Sequence, residues 1–382
     1  MKKAERTLLF LTILFLPTQL GRHFWPNFSF VYSLPIDYLS PILYFWDILA
    51  LALWIVFLMS GKHINRLALI FFYFFMLTQA FSLVFNQDAI GVGLVRLEQY
   101  LIAGLFGIYI ASLEKTEIKK IYLPLAIAVF GEAVLAILQF LKAGSVGFWI
   151  LGERTFTLST PGIARFDFYG EEFLRPYGTF PHPNVLAGFI LVTLLFLPAR
   201  KTVAILGGLI LFLTVSRATL VAGFIPAMFI LKSHGRKLVI LIALLLLPIL
   251  YIRYTSLLNF DSLALTRREE LSVTAFSLWR QSPILGKGLN NFIPQGADLL
   301  LSGPSRFLQP VHNIFLLALS ETGLIGLIGL ISLIGYPVYK RKLLLIWGVI
   351  VFLGLFDHYF LTLPQGYRLL FLVWGLSMAM LE

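Results

Sequence analysis

Val311-His312-Asn313-Ile314-Phe315-Leu316-Leu317-Ala318-Leu319-Ser320-Glu321-Thr322-Gly323-Leu324-Ile325-Gly326 is the stretch that decides how this chain is read. It opens an apolar run over 312–338, and about 20 mostly apolar residues suffice for a helix to cross a membrane. Pro310 just before it suits a helix start. A histidine at the mouth of such a helix is costly to place and is not explained by packing. The free amides and macrodipole at a helix N-terminus favour anions. On a continuous helix, Gly323 and Gly326 fall within about 40° of His312. The spacing therefore predicts both glycines beneath the histidine, allowing close helix approach or a slot for a lipid chain. Ordinary helix packing explains the glycines equally well. Glu321 falls on the opposite face and is a poor partner for His312.

Composition agrees with a membrane setting. The chain has 382 residues, of which 59% are hydrophobic and 13% charged, with mean hydropathy +0.87. Soluble domains carry roughly 25% charged residues. There is no Cys, which excludes disulfides, thiolate metal sites and a Cys nucleophile. The run Thr7 to Leu20 follows Lys2, Lys3 and Arg6 without a small-residue cleavage site, so it reads as a first membrane helix.

Spans are expected over 7–25, 36–60, 66–86, 91–112, 121–142, 183–199, 201–215, 218–231, 237–253, 312–338, 343–357 and 366–381. The expectation is thus a single all-α polytopic membrane domain, 1–382, of about twelve helices. With both termini cytoplasmic, every inner connection is basic: Lys2, Lys3, Arg6, Lys62, Arg66, Lys115, Lys119, Lys120, Arg200, Lys201, Lys232, Arg236, Lys237, Lys340, Arg341 and Lys342. This is the positive-inside pattern, so the net charge of +11 reads as orientation and not as nucleic-acid binding. Outer cations are mostly arginine, the better residue for bidentate contact with phosphate, although pairing with outer carboxylates is the simpler reading for most of them. Two long outer segments, 143–182 and 254–311, are expected, the second as a folded cap over an outward cavity.

Two further constellations open outward-facing helices. In Arg175-Pro176-Tyr177-Gly178-Thr179-Phe180-Pro181-His182-Pro183-Asn184, two prolines fix the backbone around His182. A rigid helix start with a surface arginine is the plain alternative. At the Ser216-Arg217-Ala218 corner, Ser216 can cap the next helix, and Arg217 needs a carboxylate or a ligand phosphate. Gly286-Lys287-Gly288 is only a weak phosphate-loop signal. No clustered Asp/Glu motif suggests a divalent ion, since Asp37, Asp47, Asp88 and Asp357 are scattered over different helix ends. No cofactor is expected.

These residues, in this order, resemble the O-antigen ligase family, whose relatives include O-antigen polymerases and some protein-glycosylating oligosaccharyltransferases. The His312-Asn313-x9-Gly323-x-x-Gly326 pattern matches the family signature. The Arg175 to Asn184 region, Ser216-Arg217 and Ser282-Pro283-Ile284-Leu285-Gly286-Lys287-Gly288 are similar to further motifs. The resemblance implies a metal-independent membrane glycosyltransferase of the GT-C type, moving a glycan from undecaprenyl diphosphate to an acceptor hydroxyl. The acceptor would be lipid, glycan or protein, and the reaction would occur outside the cytoplasmic membrane, among its lipids. It implies His312 as the base or acceptor-orienting group and Arg175, Arg217 and Arg268 as diphosphate ligands, supported by Asn313, His182, Asn184, Ser216, Gly323 and Gly326.

The chemistry agrees with those roles. Attack at the anomeric carbon builds charge on phosphate oxygens, which arginines and helix N-termini stabilise, and a histidine takes the acceptor proton near neutral pH. The rival class is a polysaccharide flippase. It predicts repeats and charges along a midplane path, whereas no repeat is evident and only Asp47, Glu132 and Glu321 lie deep in expected spans.

Overall fold

The computed structural model describes residues 2–84, 90–168, 170–198, 201–230, 262–303 and 306–381. Helices dominate: α1 Lys2–Leu14, α2 Phe45–Met59, α3 Arg66–Val84, α4 Ile90–Ala111, α5 Lys115–Lys142, α6 Pro183–Phe196, α7 Lys201–Leu213, α8 Arg217–Ile230, α9 Ser262–Gln281, α10 Phe292–Ser302, α11 Ile314–Tyr339, α12 Leu344–Phe356, the single turn α13 Tyr359–Thr362, and α14 Pro364–Ala379. Of these, α3, α4, α5 and α11 are long and apolar enough to cross a membrane, and α2, α6, α7, α8 and α12 are shorter apolar helices. The expected span 237–253 lies outside the described residues, as do Arg200, Lys232, Arg236, Lys237, Arg253 and Asp88.

Two expected spans are shorter than their apolar runs. Helix α1 stops at Leu14 and α2 starts only at Phe45. Pro26, Pro35 and Pro41 interrupt helical hydrogen bonding. The residues between form two small antiparallel pairs, Gly21–His23 (β1) with Ile42–Tyr44 (β4), and Phe30–Val31 (β2) with Leu34–Pro35 (β3).

The core gathers around α14, whose every residue is buried. A helix apolar on all sides is stable only when surrounded by protein or lipid. It lies along α4, where Gly107 and Gly375 let the backbones meet. A Cβ on Gly375 would strike the Gly107 carbonyl. The buried charges on these helices are held by the protein. Arg368 donates to Thr18 O (2.8 Å), sits 3.6 Å from Asp47 and stacks on Tyr44 and Trp46. Arg96 donates to Thr362 O (2.8 Å) and Asn290 Oδ1 (3.0 Å).

The segment 143–182 carries a hairpin, Arg165–Phe168 (β5) with Glu171–Leu174 (β6). The segment 254–311, described from 262, is helical through α9 and α10. Its connection between them makes the most consequential contact of the fold. Helix α11 is broken at Gly323, with φ 63° and ψ −162°, a conformation essentially reserved for glycine. Residues 283–288 insert there. The amides of Lys287 and Gly288 donate to Ser320 O (2.9 Å) and Glu321 O (2.8 Å), and those of Leu324 and Ile325 donate to Pro283 O (2.9 Å) and Ile284 O (3.2 Å). Non-helical backbone at membrane depth is tolerated where protein satisfies it in this way.

This corrects two expectations. The helix is not continuous from His312, so rotation at a fixed angle per residue does not relate Gly323 and Gly326 to it. The Gly286-Lys287-Gly288 turn is also not a phosphate loop, because the amides of Lys287 and Gly288 are spent on α11. Gly326 has its own role there: its carbonyl accepts from Gln79 Nε2 at 3.0 Å.

Candidate active site

A cavity of about 650 Å³ is lined by Arg175, Asn184, Ser216, Arg217, Arg268 and Asp357, among others. Three arginines far apart in sequence thus meet in one place, each delivered by a different local device. Arg175 follows β6 and is held by two acceptors, Thr214 O on Nε and Asn184 Oδ1 on one terminal nitrogen, both at 2.6 Å. Burial, helped by the nearby Arg217 charge, lowers the Arg175 pKa to about 10, so it stays cationic near neutrality. Arg217 is the first residue of α8. Beside it the Ser216 hydroxyl pairs with Thr219 Oγ1 at 2.8 Å. Arg268 comes from α9, and its neighbour Arg267 stacks on Phe307 at 4.5 Å. Packing thus separates two adjacent arginines that sequence alone could not distinguish: Arg268 lines the cavity and Arg267 anchors the segment.

His182 and Asn313 are caps. His182 Nδ1 accepts the Asn184 amide at 3.1 Å, and burial followed by the Arg175 charge lowers its pKa to about 4. Asn313 Oδ1 accepts the amides of Phe315 (2.9 Å) and Leu316 (3.0 Å). Helix α11 therefore begins at Ile314, two residues later than its apolar run suggests. His312 stands outside the helix, in the connection that precedes it.

The residue that sequence reasoning missed is Asp357. Its Oδ1 lies 3.5 Å from His312 Nδ1, an ion-pair approach longer than a regular hydrogen bond, and its carboxylate also lines the arginine cavity. The same Oδ1 accepts the His358 amide at 2.8 Å. Burial alone would raise the Asp357 carboxyl, but the adjacent His312 and the neighbouring imidazoles outweigh it and hold the group below the usual carboxylate range. Asp357 is therefore an anion that links the histidine to the cavity. The His358 ring lies 5.1 Å from that of His312 and bonds Thr362 Oγ1 through Nδ1 at 2.6 Å. Burial first, against the Asp357 charge, lowers its pKa to about 3, so it is a neutral packing partner.

The ligand atoms of His312, Asp357 and His358 lie within 4.8 Å of one another. Two imidazoles and a carboxylate are donor types that suit zinc, although His358 Nδ1 is committed to Thr362. Glu321, judged remote from His312, accepts the Phe292 amide at 3.2 Å instead.

Asp357-His358 was findable. An adjacent acid and imidazole between the apolar runs 344–356 and 359–363 are unusual in a membrane chain. Sequence separation from His312 concealed the pairing.

No curated protein matches the chain. Residues 202–331 match the family model described as O-antigen ligase. The matched region contains Arg217, Arg268, His312, Gly323 and Gly326, and the cavity joins its two arginines, Arg217 and Arg268, to Arg175 and Asp357 on either side. Through residues 202–331 and the His312 signature within them, this part of the chain is similar to the O-antigen ligase family.

Proposed function

We propose that this protein transfers a glycan from a lipid diphosphate to an acceptor hydroxyl, with the cavity on the outer side of the cytoplasmic membrane. The observation that carries the reading is the meeting of Arg175, Arg217 and Arg268 in one cavity whose lining residue Asp357 also lies 3.5 Å from His312. Three guanidinium groups suit a diphosphate, since each offers a fork of donors to phosphate oxygens. His312, with Nδ1 directed to Asp357, has Nε2 to take the acceptor proton.

The step balances as follows. The acceptor oxygen attacks the anomeric carbon while its proton passes to His312. The bond from that carbon to the diphosphate oxygen breaks, and its electron pair leaves with the lipid diphosphate. The arginines stabilise the charge that builds there. Asp357 orients the imidazole and stabilises its protonated form, as a carboxylate does behind a histidine base. Undecaprenyl diphosphate is the carrier that the resemblance to the O-antigen ligase family suggests. The twelve-span GT-C arrangement with cytoplasmic termini belongs to the same reading, supported by the basic inner connections.

Purified protein incubated with a lipid-diphosphate-linked glycan and a set of acceptors should yield an adduct identified by mass. A lipid-core adduct specifies a ligase, a lengthened lipid-linked glycan a polymerase, and a glycopeptide a protein oligosaccharyltransferase. His312→Ala should abolish the adduct while the protein remains folded in the membrane. Undiminished transfer by that variant removes His312 from the chemistry.

A further inference from the structure

A second cleft, also of about 650 Å³, opens where α5 ends and the outer segment begins. Its lining is rich in hydroxyls: Ser145, Thr155, Thr157 and Ser159. The local fold explains why these groups are presented together. Ala143 turns left-handed at the end of α5 (φ 55°), and Gly144 bridges to Thr157. The Ser145 amide then bonds Phe156 O at 2.9 Å. Beneath, Phe156, Ile163, Leu174 and Tyr177 form a small apolar core of their own, so the floor is packed. Thr157 and Ser159 hydroxyls lie 2.9 Å apart on the exposed surface.

The charges at the rim are unequal. Arg165 and Glu172 pair across the hairpin at 2.6 Å, while Lys142 has no ion pair among the described residues. A rigid surface of clustered hydroxyls with one uncommitted cation suits a polyhydroxylated anion. Its position adds a second argument. Arg165 pairs in register with Leu174, and the next residue, Arg175, donates its amide to Ala164 O at 3.1 Å. The wall of the cleft and the wall of the arginine cavity are thus neighbouring stretches of one hairpin.

We infer that this cleft is a subsite for acidic sugar units of the donor glycan, remote from its diphosphate. The inference rests on the transfer reading above and extends it to substrate class. Its test reads binding apart from turnover. Saturation-transfer NMR on the detergent-solubilised full chain would compare tetragalacturonate with maltotetraose. Wild type should favour the acidic tetramer. Thr157→Trp, which fills the cleft from an exposed position, should weaken binding at least about tenfold. Lys142→Gln should bring the two tetramers level, and Arg217→Lys should leave both unchanged.

No signal from tetragalacturonate on wild type, or undiminished binding by Thr157→Trp, overturns the subsite. Lys142→Gln keeping the acidic preference overturns the role of the charge. Binding without any glycan transfer would leave the cleft standing and sink the enzyme reading, whereas transfer without binding would do the reverse.

Discussion

Gly323→Ala is the most demanding test of the fold. At φ 63° and ψ −162° a residue with a Cβ is strained by about 1–3 kcal/mol. The added Cβ would also strike the Ile284 carbonyl group and approach the Gly286 nitrogen, both backbone atoms, so no side chain can swing away. Relief requires residues 283–288 to withdraw, and four inter-segment hydrogen bonds go with them. At about 1 kcal/mol each, together with the strain, the loss is on the order of 5 kcal/mol. That is a large share of the stability typical of a folded protein. Gly348 supplies the control, because a Cβ there meets nothing. Thermal unfolding of the purified variants in detergent should show Gly323→Ala strongly destabilised and Gly348→Ala at or slightly above wild type, with transfer lost in the first alone. A Gly323→Ala protein that melts with wild type and stays active would refute the idea that the helix break holds the inserted segment.

Asp357→Asn should reduce transfer on the order of 100-fold with the protein level unchanged, because an amide keeps the shape but not the charge behind His312. Asp357→Glu should recover part of it, and activity of Asp357→Asn within threefold of wild type, roughly 0.6 kcal/mol by the usual conversion, would dismiss the role. Arg217→Lys should impair transfer chiefly through a raised KM for the donor, since a point charge does not replace the guanidinium fork; an unchanged KM counts against diphosphate contact. Stability should fall as pH drops from about 6.5 toward 4. His182 and His358 are held neutral in the folded protein, with pKa values lowered to about 4 and about 3, so in that window the unfolded chain binds protons the native one does not. Melting temperatures between pH 7 and pH 5 check the sign, and a flat profile contradicts it.

Much of this architecture could be read before any coordinates. Apolar runs located α3, α4, α11 and α12 closely, because a membrane imposes both length and composition on a helix. Arg175 and Arg217 were legible as arginines beside outward helix starts, and Arg268 as an arginine of the outer segment. What the chain concealed was of two kinds. The His312–Asp357 pair joins residues on separate helical connections, and a lone acid at a helix end looks like any other interfacial acid. The break at Gly323 depends on a backbone angle that glycine permits but does not announce. A periodicity argument takes the helix as continuous and so misplaces everything beyond the break. In the same way, the capping of α11 by Asn313 moved His312 out of the helix that its apolar pattern seemed to start with it.

The Asp357 wall of the cavity has a consequence for the order in which the protein is made. Synthesis delivers Arg175, Arg217, Arg268 and His312 well before Asp357, and α14, which fills the centre of the bundle, comes later still. Arg368 on that helix then clasps Thr18, near the beginning of the chain, through its carbonyl. A nascent chain that has reached only His312 carries the cations of the cavity but not the anion behind its histidine. The proposed site is thus complete only after Asp357 has been made, and the packed centre of the described fold only after α14.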